Sequence, residues 1–469
     1  MQYLLSALLL LFTSATSLVA QTDSTGKNAA KTDTVKNENI LISNVIIEGN
    51  KRTKSNIILR EMTLKTGDII AANNLDAQLE KSRNQVYNTS LFIDVKITAS
   101  DKMGDIITIK VEVKERWFLF PVPYFTLIDR NFNQWWVTEH RDLSRVNYGI
   151  QFTQYNLSGH NDAMNIWLIN GYSKQVSLRY NLPFFNKSLK HGFNIGYTFS
   201  TQKQLNDSTS FNKQVFTTSN NYLISLRRAD ISYSFRPDQR WRHSFTVSYT
   251  NASIADTVLL VNPNYFPNGK TNIEYLDFNY HFRYLDLDYN RYPTKGYSID
   301  GYIDKRGLTN ATNLWQLGLS GLYAHPIANK TFIRLSGTAT IKTPSSNSFL
   351  NQQLFGYNNF VLRGLEYYVI DGDAAVLAQA TLCRQIGKNT FNTHLKSKNY
   401  NQIPFRYFLK LYCDAGYAHN NYPGNSFLNN KVLYTGGIGL DVVSIYDLVL
   451  RLELSYNQMG NGGLYLHGH

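Results

Sequence analysis

Two cysteines in 469 residues, Cys383 and Cys413, are too few for a disulfide framework or a cysteine-built zinc cluster. Such low usage, without metal-ligand spacing, fits an oxidising compartment that does not rely on disulfide staples. Charged residues make up only 17% of the chain, against about 25% in ordinary globular proteins, which excludes long disordered or coiled-coil stretches. With 11 Pro and 29 Gly, collagen-like and low-complexity classes are excluded as well. Beyond residue 20 no window approaches the roughly 20 consecutive apolar residues that a spanning helix requires. The basic excess, 47 Lys+Arg against 34 Asp+Glu for a net +13, is spread along the chain and forms no stripe for nucleic acid. No GxSxG, HExxH, CxxC or phosphate loop is present, so the sequence carries no catalytic signature, and the expectation is a protein that is not an enzyme and needs no cofactor or metal.

What the chain has in quantity is aromatic residues: 14%, with 32 Tyr and 26 Phe. A mean hydropathy of −0.31 looks soluble, but a membrane barrel alternates lumen-facing polar and lipid-facing apolar residues, so its average cancels. Residues 1–20 combine the apolar run Leu8 to Phe12 with small residues ending at Ala20, the pattern of a secretory signal peptide. Residues 21–39 are polar, rich in Thr, Asn and Lys, and without periodicity, which reads as a flexible linker. An exported chain with no spanning helix is secreted, periplasmic or an outer-membrane barrel.

Residues 40–116 read as one small α+β domain of order β-α-α-β-β. Ile42, Val45 and Ile47 run into the Gly49-Asn50 turn, and Thr53 is placed to cap a helix bearing Ile57, Ile58 and Met62. Leu75, Leu79 and Val86 mark a second helix. Two alternating strands follow, with Leu91, Ile93, Val95 and Ile97 sharing one face of the first, and Ile107, Ile109, Val111 and Val113 one face of the second.

Residues 117–469 carry sixteen alternating segments, from 117–128 to 462–469. In 448–457, Leu448, Leu450, Leu452, Leu454 and Tyr456 alternate with Val449, Arg451, Glu453, Ser455 and Asn457. In 405–417, Phe405, Tyr407, Leu409, Leu411, Cys413, Ala415 and Tyr417 oppose Arg406, Lys410, Tyr412, Asp414 and Gly416, which puts Cys383 and Cys413 on opposite faces. Apolar and charged faces in an even number of strands predict an all-β transmembrane barrel, because hydrocarbon leaves no partner for open sheet edges. A soluble sandwich would not need so many strands. Trp117, Phe118, Trp135, Trp136, Tyr292 and Tyr417 stand at strand ends as candidate interfacial girdles. The gap 345–372 is the longest loop, and loops of that length are usually functional.

Several strings resemble a known family. IIEGN, TKSNIILREM, TGD, NTSLFIDVKI and VEVKERW resemble a POTRA domain, the periplasmic module of the BamA/TamA-like outer-membrane assembly and translocation superfamily. YNLSGHND, with Asn156 and Gly159, resembles that superfamily's Asn-Leu-x-Gly turn, and LDLDYNRYPTKGYSI resembles its Asp-x-x-Asp…Pro-x-x-Gly segment through Asp286, Asp288, Pro293 and Gly296. FVLRGLEYY, with Leu362, Arg363, Gly364 and Leu365, resembles the Val-Arg-Gly-aromatic motif of the long loop, and Tyr412 to Gly416 its aromatic-x-Asp-x-Gly partner strand. The resemblance implies a POTRA-like domain at 40–116, a sixteen-stranded outer-membrane barrel at 117–469, and loop 345–372 folded into the lumen with Arg363 and Gly364 meeting Asp414 and Gly416. It implies insertion or export of β-rich clients without ATP, with unfolded outer-membrane or secreted clients, outer-membrane lipids and accessory periplasmic or lipoprotein subunits as partners. A passive porin or adhesin, or a structural subunit of a larger outer-membrane complex, is the alternative. The departures are Leu365 in place of an aromatic, which is expected to loosen the loop tip, Thr381 where relatives often carry Glu, and a last segment short for a spanning strand.

Overall fold

The computed structural model describes residues 39–127, 140–309, 312–357, 361–393 and 402–468. The signal-like segment, residues 21–38, Trp135, Trp136 and Phe360 lie outside the described residues.

The N-terminal module contains β1 (Asn39–Glu48), α1 (Ser55–Glu61), β2 (Ile69–Ala71), α2 (Leu75–Tyr87), β3 (Phe92–Met103) and β4 (Ile106–Glu115). Its sheet order is β2-β1-β4-β3, with β1 parallel to β4 and the other pairs antiparallel. Ile42, Ile57, Ile58, Met62, Val86, Ile109 and Val111 are buried together between sheet and helices. Three details depart from the sequence expectations. A short β2 lies between the helices. A register shift between Phe92 and Asp94 turns Phe92 inward beside Val95 and Ile97, so strict alternation fails at the start of β3. Lys54, not Thr53, occupies the N-cap of α1, and no side chain caps that helix.

The larger sheet comprises β5 (Leu119–Leu127), β6 (Val146–Tyr155), β7 (Ala163–Gly171), β8 (Lys174–Leu182), β9 (His191–Gln202), β12 (Ile224–Phe235) and β13 (Trp241–Ile254). It continues through β14 (Asn272–Leu287), β15 (Gly296–Thr309), β16 (Thr312–Ala328), β17 (Thr331–Thr343) and β20 (Ala374–Asn392). It ends with β21 (Gln402–His419), β22 (Val432–Val443), β23 (Val449–Asn457) and β24 (Gly462–Gly468). Two small hairpins stand apart, β10 (Gln204–Ser210) with β11 (Lys213–Thr218), and β18 (Gln353–Phe355) with β19 (Ile370–Asp371). The sixteen strands pair antiparallel in chain order, each with the next. All sixteen coincide with the alternating segments to within a few residues at each end, β20 running furthest past its segment.

The burial pattern is inside out relative to a soluble protein. On β23, Leu450, Leu452, Leu454 and Tyr456 are exposed, whereas Glu453, Ser455 and Asn457 are buried. On β21, Leu409, Leu411 and Cys413 face out while Lys410, Tyr412 and Asp414 are covered. An apolar outer wall around a polar lumen is the requirement of a barrel that spans lipid. The two cysteines are free and on opposite faces, Cys383 buried and Cys413 exposed.

The sheet curls until its ends approach. Arg116, at the entry to β5, contacts Asp447 in the turn before β23, and the Phe120 and Tyr446 rings lie 5.9 Å apart. Among the described residues no ladder joins β5 to β24, so the barrel has a seam between its first and last strands.

Candidate functional site in the lumen and at the barrel mouth

Loop 345–372 carries a short helix and the β18–β19 hairpin. Leu354, Phe355, Leu362, Leu365 and Ile370 pack with Ala375, Leu377 and Leu433 of the barrel wall. Leu365 is 4% exposed and packs in this apolar cluster, which corrects the expectation of a loose tip. Leu365 N–H donates to the Leu362 carbonyl, folding the motif into a tight turn, and Gly364 sits inside it at φ +89°, a conformation that disfavours any Cβ.

Arg363 reaches from this turn to the wall. Its Nε donates to Asp414 Oδ2 at 2.8 Å, its Nη2 donates to Asp414 Oδ1, and its backbone N–H points at Oδ2 from 3.3 Å. Nη1 donates to Thr381 Oγ1 at 3.2 Å, so Thr381 contributes a neutral acceptor to the guanidinium. The guanidinium carbon lies 4.0 Å from the Tyr412 ring centroid, and Gln379 Nε2 donates to Asp414 Oδ2 at 2.9 Å. This two-point fork fixes orientation as well as distance. Gly416 makes the approach possible: a Cβ there would come within 2.7 Å of Leu362 Cδ1. Asn457 Nδ2 donates to the Gly364 carbonyl at 2.8 Å, tying the turn to β23.

The other motif residues lie at the end of the barrel that carries the α+β module. Asn156 is fully buried; its Nδ2 donates to Thr53 Oγ1 at 2.9 Å, and its Oδ1 accepts from Asn161 N–H. Lys54 N–H donates to the Gly159 carbonyl at 3.0 Å, and a Cβ on Gly159 (φ +86°) would lie 2.5 Å from the Arg52 carbonyl. Asp288 accepts from Thr294 and Lys295 N–H, shaping the turn after β14, whose Leu287 and Asp288 carbonyls accept from Asn88 of the module. Pro293 is buried beside Tyr292, Asp286 lies 3.3 Å from Arg240, and a Cβ on Gly296 (φ +109°) would lie 2.0 Å from the Asp286 carbonyl. Tyr292 and Phe118 are therefore not girdle residues. Tyr292 is 1% exposed and donates to Asp441 Oδ2, while Phe118 packs into the module core.

Sequence reasoning missed two clusters. At the mouth, Arg60 Nε donates to the Leu189 carbonyl at 2.6 Å, and Glu61 pairs with both Arg60 (2.8 Å) and Arg236 (3.2 Å). Phe184 of the β8–β9 turn sits under both guanidinium groups and joins the module core. Burial lowers the Arg60 pKa from its ordinary value, with Arg236 acting in the same sense and Glu61 opposing. Asp447 gathers Arg116, Ser90 and Tyr289, and burial raises the Tyr289 phenol. Below the module lies a cavity of about 1250 Å³ lined by Glu80 and Asn84 from α2 and by Arg242, His281 and Arg291 from the barrel. In the lumen, Lys410 bridges Asp441 and Glu453 at 2.5 Å each, and Arg334 stands 3.5 Å from Asp441. The available signal was weak: isolated charges at inward positions of otherwise apolar strands.

Fold and site define a barrel with a polar lumen, an inward-folded loop and an α+β module docked on one mouth. Residues 40–116 match the family model described as POTRA, surface antigen variable number repeat. The chain is 32% identical over 83 residues to the outer membrane protein assembly factor BamA of Nitratidesulfovibrio vulgaris, covering 17% of this chain and 10% of that protein. It is 36% identical over 77 residues to a putative outer membrane protein assembly factor of Treponema pallidum, covering 16% and 9%. These matches thus span about a tenth of the curated relatives' length. The crystal structure of BamA from Haemophilus ducreyi lacking POTRA domains 1–3 aligns over 92% of this chain and 84% of that one, at 17% identity and a TM-score of 0.49. Residues 40–116 are thus similar to a POTRA domain, and in this chain that module precedes a sixteen-stranded antiparallel barrel.

Proposed function

We propose that this protein is an outer-membrane assembly or translocation pore, with the barrel in the outer membrane and the POTRA domain in the periplasm. It inserts or exports β-rich clients using the free energy of client folding and strand pairing, with no nucleotide. The observation that carries the reading is the seam. In a barrel whose outer face is apolar, strands β5 and β24 present edges that are not joined to each other among the described residues. An unpaired edge is a template for an incoming strand. The POTRA sheet offers a second edge, β3, from the periplasmic side. Arg363, Gly364, Asp414 and Gly416 act as a structural clasp that holds the loop in the lumen, and no residue of the clasp is catalytic. Client proteins and outer-membrane lipids are the partners, with accessory periplasmic or lipoprotein subunits where the POTRA surface remains free.

The test is reconstitution of the purified chain into liposomes with a urea-unfolded eight-stranded barrel protein as client. Faster client folding than in empty liposomes supports the reading. Steady ion conductance without any acceleration supports a passive porin instead.

A further inference from the structure

Glu366, Glu453 and His467 come from three separate elements: the turn after the Arg363 motif, β23 and β24. Their side chains converge on one point beside the seam, with their ligand atoms all within 4.8 Å of one another. His467 Nε2 lies 3.4 Å from Glu453 Oε2 and 3.5 Å from Glu366 Oε1. These separations are long for charge-assisted hydrogen bonds, which run at about 2.7–2.9 Å. Accordingly, both His467 Nε2 and Glu366 Oε1 are shielded from solvent and lack a hydrogen-bond partner. A buried polar atom left unpartnered in a native structure requires an explanation, and an unseen ion is one of the few available.

The remaining oxygens show how the site is built. Glu366 Oε2 accepts the Gly364 N–H at 2.8 Å, and Glu453 Oε1 accepts from Lys410 Nζ at 2.5 Å. Each carboxylate is thus anchored through one oxygen and presents the other to the imidazole. Outer partners of this kind orient metal ligands. A tetrahedral ion with bonds of about 2.0–2.2 Å holds its ligand atoms about 3.3–3.6 Å apart, which is the spacing seen around His467 Nε2. Lys410 does not fill the role of counter-cation alone, because it also lies 2.5 Å from Asp441. The Glu453 side chain is 2% exposed, and its Oε2, the oxygen that Lys410 does not hold, faces the His467 ring.

We propose that Glu366, Glu453 and His467 form a binding site for one divalent transition ion of the Zn²⁺ type. Two carboxylates and one imidazole are three protein ligands, and water would complete a tetrahedron. The ion would join the lumen loop to the last two strands next to the seam, beyond what the Arg363 clasp does. Spacing along the chain could not reveal the site, since its ligands lie 87 and 14 positions apart in sequence.

The experiment is Zn²⁺ titration of the purified full chain in detergent, with stoichiometry read by equilibrium dialysis and geometry by the visible absorption of bound Co²⁺. Wild type is expected to bind one ion per chain and to show an intense tetrahedral Co²⁺ band. Glu366→Gln, which keeps an oxygen for the Gly364 N–H, and His467→Gln are each expected to weaken binding by at least the roughly 10–100-fold lost when only an outer partner is removed. Heat-modifiable gel mobility confirms that the variants are folded. The proposal is overturned if wild type shows no stoichiometric uptake, if Co²⁺ gives only a weak octahedral spectrum, or if folded variants bind as wild type does.

Discussion

Asp414 accepts from Arg363 and Gln379 and has no water-facing side, so removing the guanidinium strands a buried charge. Arg363→Ala and Asp414→Ala should each destabilise the barrel by about 3–5 kcal/mol, and the double variant by about as much as either single one. Denaturant midpoints of the four proteins, followed by gel mobility, measure this; additive losses would show that the two residues act independently. Gly364→Ala places a Cβ at φ +89° and 3.1 Å from Ser455 Cβ, and should cost about 1–3 kcal/mol in the same assay. The Arg363 turn was legible in the sequence because its string is local and distinctive. The Lys410, Asp441 and Glu453 network was not, because each residue is an ordinary inward charge until three strands bring them together.

Strands were the most legible elements, since a polar lumen against an apolar outer face imposes period 2 on every one of them. Where local rules failed, tertiary contacts had overridden them. Thr53 satisfies the buried Asn156 amide and is not a helix cap, the bulge at Phe92 inverts one face of β3, and Tyr292 serves the Asp441 network and not a lipid interface. These contacts make the β6–β7 turn a docking element for the POTRA domain. Gly159→Ala sets a Cβ against the Arg52 carbonyl in a left-handed backbone conformation, at a cost of about 1–2 kcal/mol. Hydrogen exchange at the Lys54 amide, which donates to the Gly159 carbonyl, should quicken roughly 5–30-fold, whereas exchange in the module core at Ile109 should not change. Arg60→Ala removes the carbonyl contacts to Leu189, Arg236 and Asp238 and the stacking on Phe184, and should raise exchange in α1 in the same way.

At the scale of the whole molecule, one polarity rule organises the chain. Apolar side chains face outward over the barrel and inward in the POTRA domain, and the two regions meet where Phe184 and Leu189 of a barrel turn enter the POTRA core. The polar lumen is then occupied by a loop held through charges, and among the described barrel strands the unjoined edges are those of β5 and β24 at the seam. The most direct test of that seam uses a photo-crosslinking residue at Leu466, an outward position 73% exposed on β24, and another at Tyr434, 61% exposed on β22 and two strands away. During folding of an unfolded barrel client in liposomes, Leu466 should crosslink to the client and Tyr434 only to lipid. Equal crosslinking from both positions, or none from Leu466 while the client folds, would contradict assembly at the seam.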